Sequence, residues 1–200
     1  MRQLIFGWVL PLIIADQLLK FYIKLNFTIG QSMDLVPGVL ELAFIENEGM
    51  AFGWALPGTA GKLLLTTFRI LASVGIGVYL FRLVKDKVHI GMLRCVALIW
   101  AGAIGNIIDG AVYGQLFSYS SWSVLATFTS DGYAPFFMGN VVDMLHFTLH
   151  WPSWMPFNLA NSEVFPPIFN IADAAISIGV IWILIRQKTF FNSLPSKSNG

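Results

Sequence analysis

Three Asn-x-x-Asp pairs carry most of the chemistry that this 200-residue sequence offers. On a helix, residues three apart share a face, so each carboxylate would have an amide donor beside it or turned toward a common cavity. Two aspartates held close at low dielectric share one proton, so one can take a proton from water while the other donates to a carbonyl oxygen. The pairs therefore indicate peptide hydrolysis without a metal, with a polar cluster that only stabilises helix packing as the alternative. The pairs are Asn106 with Asp109, Asn140 with Asp143, and Asn170 with Asp173.

Other catalytic patterns are incomplete in this sequence. No G-x-S-x-G occurs, so the nucleophile elbow of a serine hydrolase is missing. His146 and His150 have the i, i+4 spacing of zinc proteases, but the glutamate of that motif is absent. Together with Asp143 they could imitate a zinc site, yet nothing supplies the rest of a ligand set, so we expect no metal and no cofactor. Cys95 is the single cysteine and is predicted to be a buried packing residue.

The composition predicts a protein embedded in a membrane. Hydrophobic residues make up 56% of the chain and charged residues only 12%, whereas a soluble domain carries about 25% charged residues. So few charges cannot coat a globule of this size. The net charge of +1 provides no basic field for nucleic acid, and 17 Phe with 7 Trp exclude a disordered chain.

Four apolar stretches approach the roughly 20 residues that a spanning helix needs. They predict transmembrane helices over about residues 4–24, 63–83, 92–112 and 168–185, in a single, mainly α-helical membrane domain. A cleaved signal peptide is the alternative for the first stretch. However, Asp16 and Lys20 interrupt its apolar run and no A-x-A cleavage site follows, which favours a retained span.

The placement of lysines and arginines orients these four spans. Arg2 precedes the first span, a cluster lies between the second and third (Arg82, Lys85, Lys87 and Arg94), and three follow the fourth (Arg186, Lys188 and Lys197). None occurs from residue 110 to residue 170. By the positive-inside rule, both termini are cytoplasmic, and the segments 25–62 and 110–168 lie outside. With this topology Asp16 and the polar pairs of the third and fourth spans reach a similar depth beneath the outer surface. Asp143 belongs to an outer segment that could fold onto that layer.

The outer segments are predicted to hold little regular structure beyond a small sheet. Val39–Glu46 is β-prone with partial alternation, Glu48-Gly49 is typical of a turn, and Met50–Gly53 could return as a second strand. Segment 113–167 is aromatic and interrupted by prolines, and it could hold short interfacial helices. Residues 193–200 form a polar tail that we expect to be disordered.

Five motifs, in order along the chain, resemble those of lipoprotein signal peptidase, also called signal peptidase II. This is a family of bacterial integral-membrane aspartic endopeptidases. The resemblance extends from Asp16 to about Ile185. The order of the motifs and the predicted topology also match those of the family. The motifs are Asp16–Lys20 (D-Q-x-x-K), Glu46–Gly53 (N-x-G-x-A-F-G), Gly102–Asp109 (G-x-x-G-N-x-x-D), Val141–Asp143 and Phe169–Asp173.

The resemblance implies that Asp143 and Asp173 are the catalytic pair. It implies a prolipoprotein substrate whose cysteine carries a diacylglyceryl group, cut on the amino side of that cysteine, and sensitivity to globomycin. It also implies four transmembrane helices with a β-cradle from 25–62 on the outer leaflet of the bacterial inner membrane. We expect a monomer that contacts membrane lipids. The supporting polar residues fall on Asp16, Lys20, Asn47, Asn106, Asp109 and Asn170.

Two features depart from the family pattern. The family usually has arginine after the aspartate of the third helix, whereas this chain has Gly110. The connections on either side of Asp143 are also longer than usual, with extra material near residues 112–139 and 147–165.

A non-enzymatic function is the main alternative for the buried carboxylates. A proton- or ion-coupled transporter could use Asp16, Asp109, Asp143 and Asp173. Transport sites usually lie near the bilayer midplane at a repeat interface, whereas these residues lie toward one face. A structural membrane subunit is a third possibility, but it gives no reason for three Asn-x-x-Asp pairs.

Overall fold

The computed structural model describes residues 1–48 and 58–191. Three of its helices are long and apolar enough to cross a membrane. A fourth apolar helix has 15 residues, or about 22 Å at 1.5 Å per residue, which is shorter than a typical span. The helices are α1 (Arg2–Asn26, with a π-helical part at Ile5–Val9), α2 (Gly58–Lys85), α3 (Ile90–Ile108), α4 (Ile171–Ile185) and α5 (Gln187–Phe191).

These helices agree with the spans predicted at 4–24, 63–83 and 92–112. The fourth helix begins at Ile171, three residues later than predicted. Large apolar side chains on α2 are exposed, for example Phe68 and Leu71 at 66% and 67%. Apolar surface of this kind is stable against lipid and costly in water, which supports a membrane setting for α2.

The chain forms two compact units, and the first consists of Met1–Gln17, Leu63–Ile108 and Ile171–Gly200. Its helices pack closely through glycines. A side chain at Gly102 would meet the backbone oxygen of Ala172, and one at Gly179 would lie 2.8 Å from the backbone oxygen of Cys95. Small residues at these crossings let α3 and α4 approach each other, and Cys95 is buried there as predicted.

The second unit consists of Leu18–Lys62 and Asp109–Asn170 and contains a three-stranded antiparallel sheet. The strands are β1 (Ser32–Val36), β2 (Leu40–Asn47) and β3 (Val141–Phe147), in the order β1-β2-β3. Pro37 and Gly38 form the turn between β1 and β2. Gly38 has φ +71° there, and the Val39 N–H donates to the Val36 oxygen at 3.0 Å.

The third strand corrects the helical interpretation of the Asn140–Asp143 pair. Asp143 lies on β3 and pairs with Ile45 of β2, and Asn140 immediately precedes that strand. The partner of β2 therefore comes from about one hundred residues farther along the chain, a pairing that local periodicity cannot reveal. The return strand predicted at Met50–Gly53 and the tail predicted at 193–200 lie outside the described residues.

Candidate active site

Asp173 lies in the first turn of α4 and is half-buried. The Asn106 side chain on α3 donates from Nδ2 to Asp173 Oδ1 at 2.7 Å. The first turn of a helix carries a partial positive charge, which stabilises a carboxylate at this position. A neutral amide and a helix end therefore hold this aspartate in place.

Asp16 of α1 binds the beginning of the same helix. It is fully buried, and its Oδ1 accepts the backbone N–H of Ala172 at 2.9 Å. Gln17 donates from Nε2 to Asp16 Oδ2 and to the Gly105 oxygen, both at 3.2 Å. A side chain at Gly105 would come within 2.9 Å of Asp16 Oδ2. The D-Q and G-x-x-G-N motifs thus meet at the start of α4, where Asp16 satisfies an N–H that the helix leaves without a partner.

Asp143, in the second unit, is buried on β3 between two amides. Asn170 Nδ2 donates to its Oδ1 at 2.7 Å, and Asn47 Nδ2 donates to its Oδ2 at 3.3 Å. Asp143 also borders a cleft of about 660 Å³, which Asn47, Pro166 and Ile168 help to line. This aspartate is therefore oriented by neutral donors and reachable from a cavity.

The peptide group of Val142, next to Asp143, is held from both sides. Its N–H donates to Asp109 Oδ2 at 3.3 Å, and its oxygen accepts from Asn170 Nδ2 at 3.3 Å. Lys20 Nζ forms an ion pair with the same Asp109 oxygen at 2.7 Å, and both side chains are completely buried. Asp109 and Lys20 thus fix the backbone that carries Asp143.

A π-helical segment, Asp109–Tyr113, follows α3 and anchors the chain that enters β3. The Gly139 N–H donates to the Gly110 oxygen at 2.9 Å, and the Phe137 N–H donates to the Ala111 oxygen at 3.1 Å. A side chain built at Gly110 would meet no atom within 4 Å among the described residues. Lys20 therefore places a positive charge beside Asp109, although position 110 carries glycine.

Two of the asparagines in the Asn-x-x-Asp pairs donate to the aspartate of a different pair. Asn106 of the first pair donates to Asp173 of the third, and Asn170 of the third donates to Asp143 of the second. Asn140 of the second pair donates from Nδ2 to Glu46 Oε2 at 2.9 Å. In each of these bonds the carboxylate partner comes from outside the pair that the local spacing predicted.

A buried polar network lies beside β2, and sequence reasoning missed most of its members. Lys24 Nζ pairs with Glu46 Oε1, and Ser120 Oγ donates to the same oxygen at 2.7 Å. Lys62 Nζ donates to Asn140 Oδ1 at 2.5 Å. The sequence alone could have placed Lys24 in a buried polar network. It lies in an apolar run, eight residues after Asp16, and a lysine there needs a buried partner.

His146 is separated from Asp143 by the alternation of the strand, because residues three apart on a strand point to opposite faces. Its Nδ1 is bonded to Glu41 Oε1 at 2.8 Å and its Nε2 to Glu163 Oε2 at 3.4 Å. The hydrogen bond that His146 donates to Glu41 raises the pKa of His146 above its ordinary value, and Glu163 adds to this effect. In residues 1–48 and 58–191, no three His, Cys, Asp or Glu side chains are arranged to hold a metal ion.

Comparison with known proteins gives one consistent result. Residues 8–189 match the family described as signal peptidase (SPase) II. The chain is 43% identical over 181 residues to the lipoprotein signal peptidase of Porphyromonas gingivalis, covering 87% of this chain and 78% of that protein. It is 32% identical over 191 residues to that of Amoebophilus asiaticus, covering 92% and 77%. A solved structure described as a bacterial membrane enzyme superposes with a TM-score of 0.61 at 26% identity, covering 96% and 92%.

Proposed function

Because this chain belongs to the signal peptidase II family, we propose that it is an aspartic endopeptidase with Asp143 and Asp173 as its catalytic pair. Members of this family remove signal peptides from prolipoproteins. The proposed substrate is a prolipoprotein whose cysteine carries a diacylglyceryl group, and the proposed cut lies on the amino side of that cysteine.

The observation that carries the proposal is the position of Asp143, which borders a cleft while Asn170 and Asn47 donate to its carboxylate. Asp173 accepts a hydrogen bond from the Asn106 amide in the first turn of α4. These amides orient the two carboxylates. The cleft, of about 660 Å³, is large enough for a peptide.

The proposed reaction needs one carboxylate ionised and the other protonated. The ionised member takes a proton from water, and the water oxygen attacks the carbonyl carbon before the cysteine. The protonated member donates its proton to the carbonyl oxygen. As the intermediate collapses, one of its hydroxyl groups gives a proton to the ionised carboxylate, the C–N bond breaks, and the other carboxyl group gives its proton to the cysteine nitrogen. The pair again holds one proton, and the products are a signal peptide with a new carboxyl group, which ionises in water, and a lipoprotein with a free cysteine amine.

We also propose four spans in the bacterial inner membrane, with both termini in the cytoplasm and the sheet at the outer leaflet. The distribution of Lys and Arg supports this orientation, because none occurs from residue 110 to residue 170. A reporter enzyme that is active only outside the cytoplasm, fused near residue 125, is expected to be active. Activity of a cytoplasm-only reporter at the same position would overturn the topology.

The experiment that tests the catalytic pair is cleavage of a diacylglyceryl-cysteine peptide by purified variants. Asp143→Asn and Asp173→Asn keep the shape and remove the proton chemistry, so each is expected to lose about 10²–10⁴-fold in turnover. The double variant should lose little more, because residues that act as a unit are not additive. Asp131→Asn changes an exposed aspartate in the same way and is the matched control.

Two further readouts belong to the same assay. Mass spectrometry of the products should find the lipidated cysteine at the new amino terminus. The rate should rise and then fall with pH, because both protonation states are needed at once. A folded Asp143→Asn or Asp173→Asn enzyme that cleaves at nearly the wild-type rate would falsify the assignment.

A further inference from the structure

A second cleft in the sheet-containing unit adjoins the one that Asp143 borders. It has a volume of about 340 Å³, and the two clefts share Ile45 and Glu46 of β2 and Glu48 just after it. Its far wall is formed by Tyr119–Trp122, which belong to the extra segment near residues 112–139. We name this second cavity the insert cleft. The shared residues make it the neighbour of the proposed active-site cavity.

Buried hydrogen bonds hold the far wall of the insert cleft in place. Ser120 is buried, donates to Glu46 at 2.7 Å and accepts from Lys24 Nζ at 2.9 Å. The Ile29 N–H donates to the Ser121 oxygen at 3.0 Å. The wall is therefore fastened to α1, to β2 and to the loop between α1 and β1. A cavity with a fixed wall can select between ligands because little ordering is needed when a ligand binds.

The side chains that face the insert cleft could recognise a cation. Gly30 has φ +77°, and a side chain there would come within 2.8 Å of the Trp122 ring, so the ring lies against the Gly30 backbone. Trp122 is nevertheless 77% exposed and Tyr119 is 69% exposed. Glu48 is also exposed, so a carboxylate lies in the same cavity as these rings. Aromatic faces and a carboxylate both attract lysine and arginine side chains.

We propose that the insert cleft binds the substrate chain just after the lipidated cysteine and prefers a basic residue there. The proposal rests on the proposed function above. A signal peptide contributes an apolar stretch on the amino side of the cysteine, which suits lipid. The chain on the other side of the cysteine is the part that leaves the membrane, and a polar, aromatic cavity beyond Asp143 suits that part. Trp122 and Glu48 are then specificity residues rather than catalytic residues.

The test uses three diacylglyceryl-cysteine peptides that differ only in the four residues after the cysteine, which contain Lys, Ala or Glu. The wild-type protein should cleave the Lys peptide with a kcat/KM about fivefold above that of the Glu peptide, as expected for one exposed cation–π contact aided by a carboxylate. Trp122→Ala should bring this ratio toward one. Glu48→Lys should reverse the preference, so that the Glu peptide is cleaved faster than the Lys peptide. Because Glu48 is exposed, this variant still tests the proposal if Trp122→Ala fails to fold.

Trp154→Ala is the matched control, because Trp154 is 76% exposed and lines neither cleft. It should keep the wild-type ratio. Equal cleavage of the three peptides by the wild-type protein would overturn this inference and leave the proposed function standing. Failure to cleave any of them would overturn the proposed function, and the inference with it.

Discussion

Replacing Lys20 with methionine should destabilise the protein strongly, because it removes one half of a buried ion pair. Lys20 Nζ lies 2.7 Å from Asp109 Oδ2, and neither side chain is exposed. Lys20→Met keeps nearly the same volume, so packing is little changed. The buried carboxylate of Asp109 loses the ammonium group of Lys20.

Breaking a buried pair on one side costs about 3–5 kcal/mol, since an uncompensated charge remains. Asp109 also accepts the Val142 N–H, so disturbing it should move the backbone next to Asp143. We therefore expect Lys20→Met to lower both the free energy of unfolding and the turnover. Adding Asp109→Asn removes the unpaired charge and keeps an acceptor for the Val142 N–H, so the double variant should recover at least half of the stability loss.

The free energy of unfolding is measured by denaturant titration in micelles for the wild type, both single variants and the double variant. Lys85→Met removes an exposed lysine and should change the value by less than about 0.5 kcal/mol. The quantity of interest is the coupling energy between positions 20 and 109. A Lys20→Met protein as stable as the Lys85→Met control, or a double variant as unstable as the sum of the singles, would refute the reasoning.

Three other outcomes are expected. Glu41 raises the pKa of His146 in the folded protein above its value in the unfolded chain. The contact therefore contributes its full stability at a pH below the pKa of the unfolded chain. This stability is lost as the pH rises through the pKa of the folded protein. The free energy of unfolding should therefore change more between about pH 5.5 and about pH 8.5 in the wild type than in His146→Ala. Chelators should leave peptide cleavage intact, and His146→Ala with His150→Ala should keep substantial turnover; loss on chelation that zinc restores would contradict the aspartic mechanism. Gly110→Arg should leave turnover unchanged or reduced, because Lys20 already neutralises Asp109; a large gain in the cleavage assay would show that the arginine is simply missing.

The amino-acid sequence is enough to predict the three long apolar helices. The spans follow from the length of apolar runs, which depends on the lipid thickness rather than on any contact within the protein. Asp16, Asn106 and Asp173 could be expected to meet because helix direction and depth follow from the positions of Lys and Arg. Their hydrogen bonds at the start of α4 agree with that expectation.

The tertiary structure decided which groups are bonded to which. Local spacing suggested that Asn140 would serve Asp143, but Asn140 binds Glu46, and Asp143 is bonded by Asn170 and Asn47. Asp143 lies on a strand because β3 pairs with β2, a contact between segments about one hundred residues apart. Side-chain periodicity reports only which face of an element is buried. Which side chains meet on that face depends on how distant segments pack. The carboxylate that each asparagine amide bonds can therefore be identified only in the folded chain.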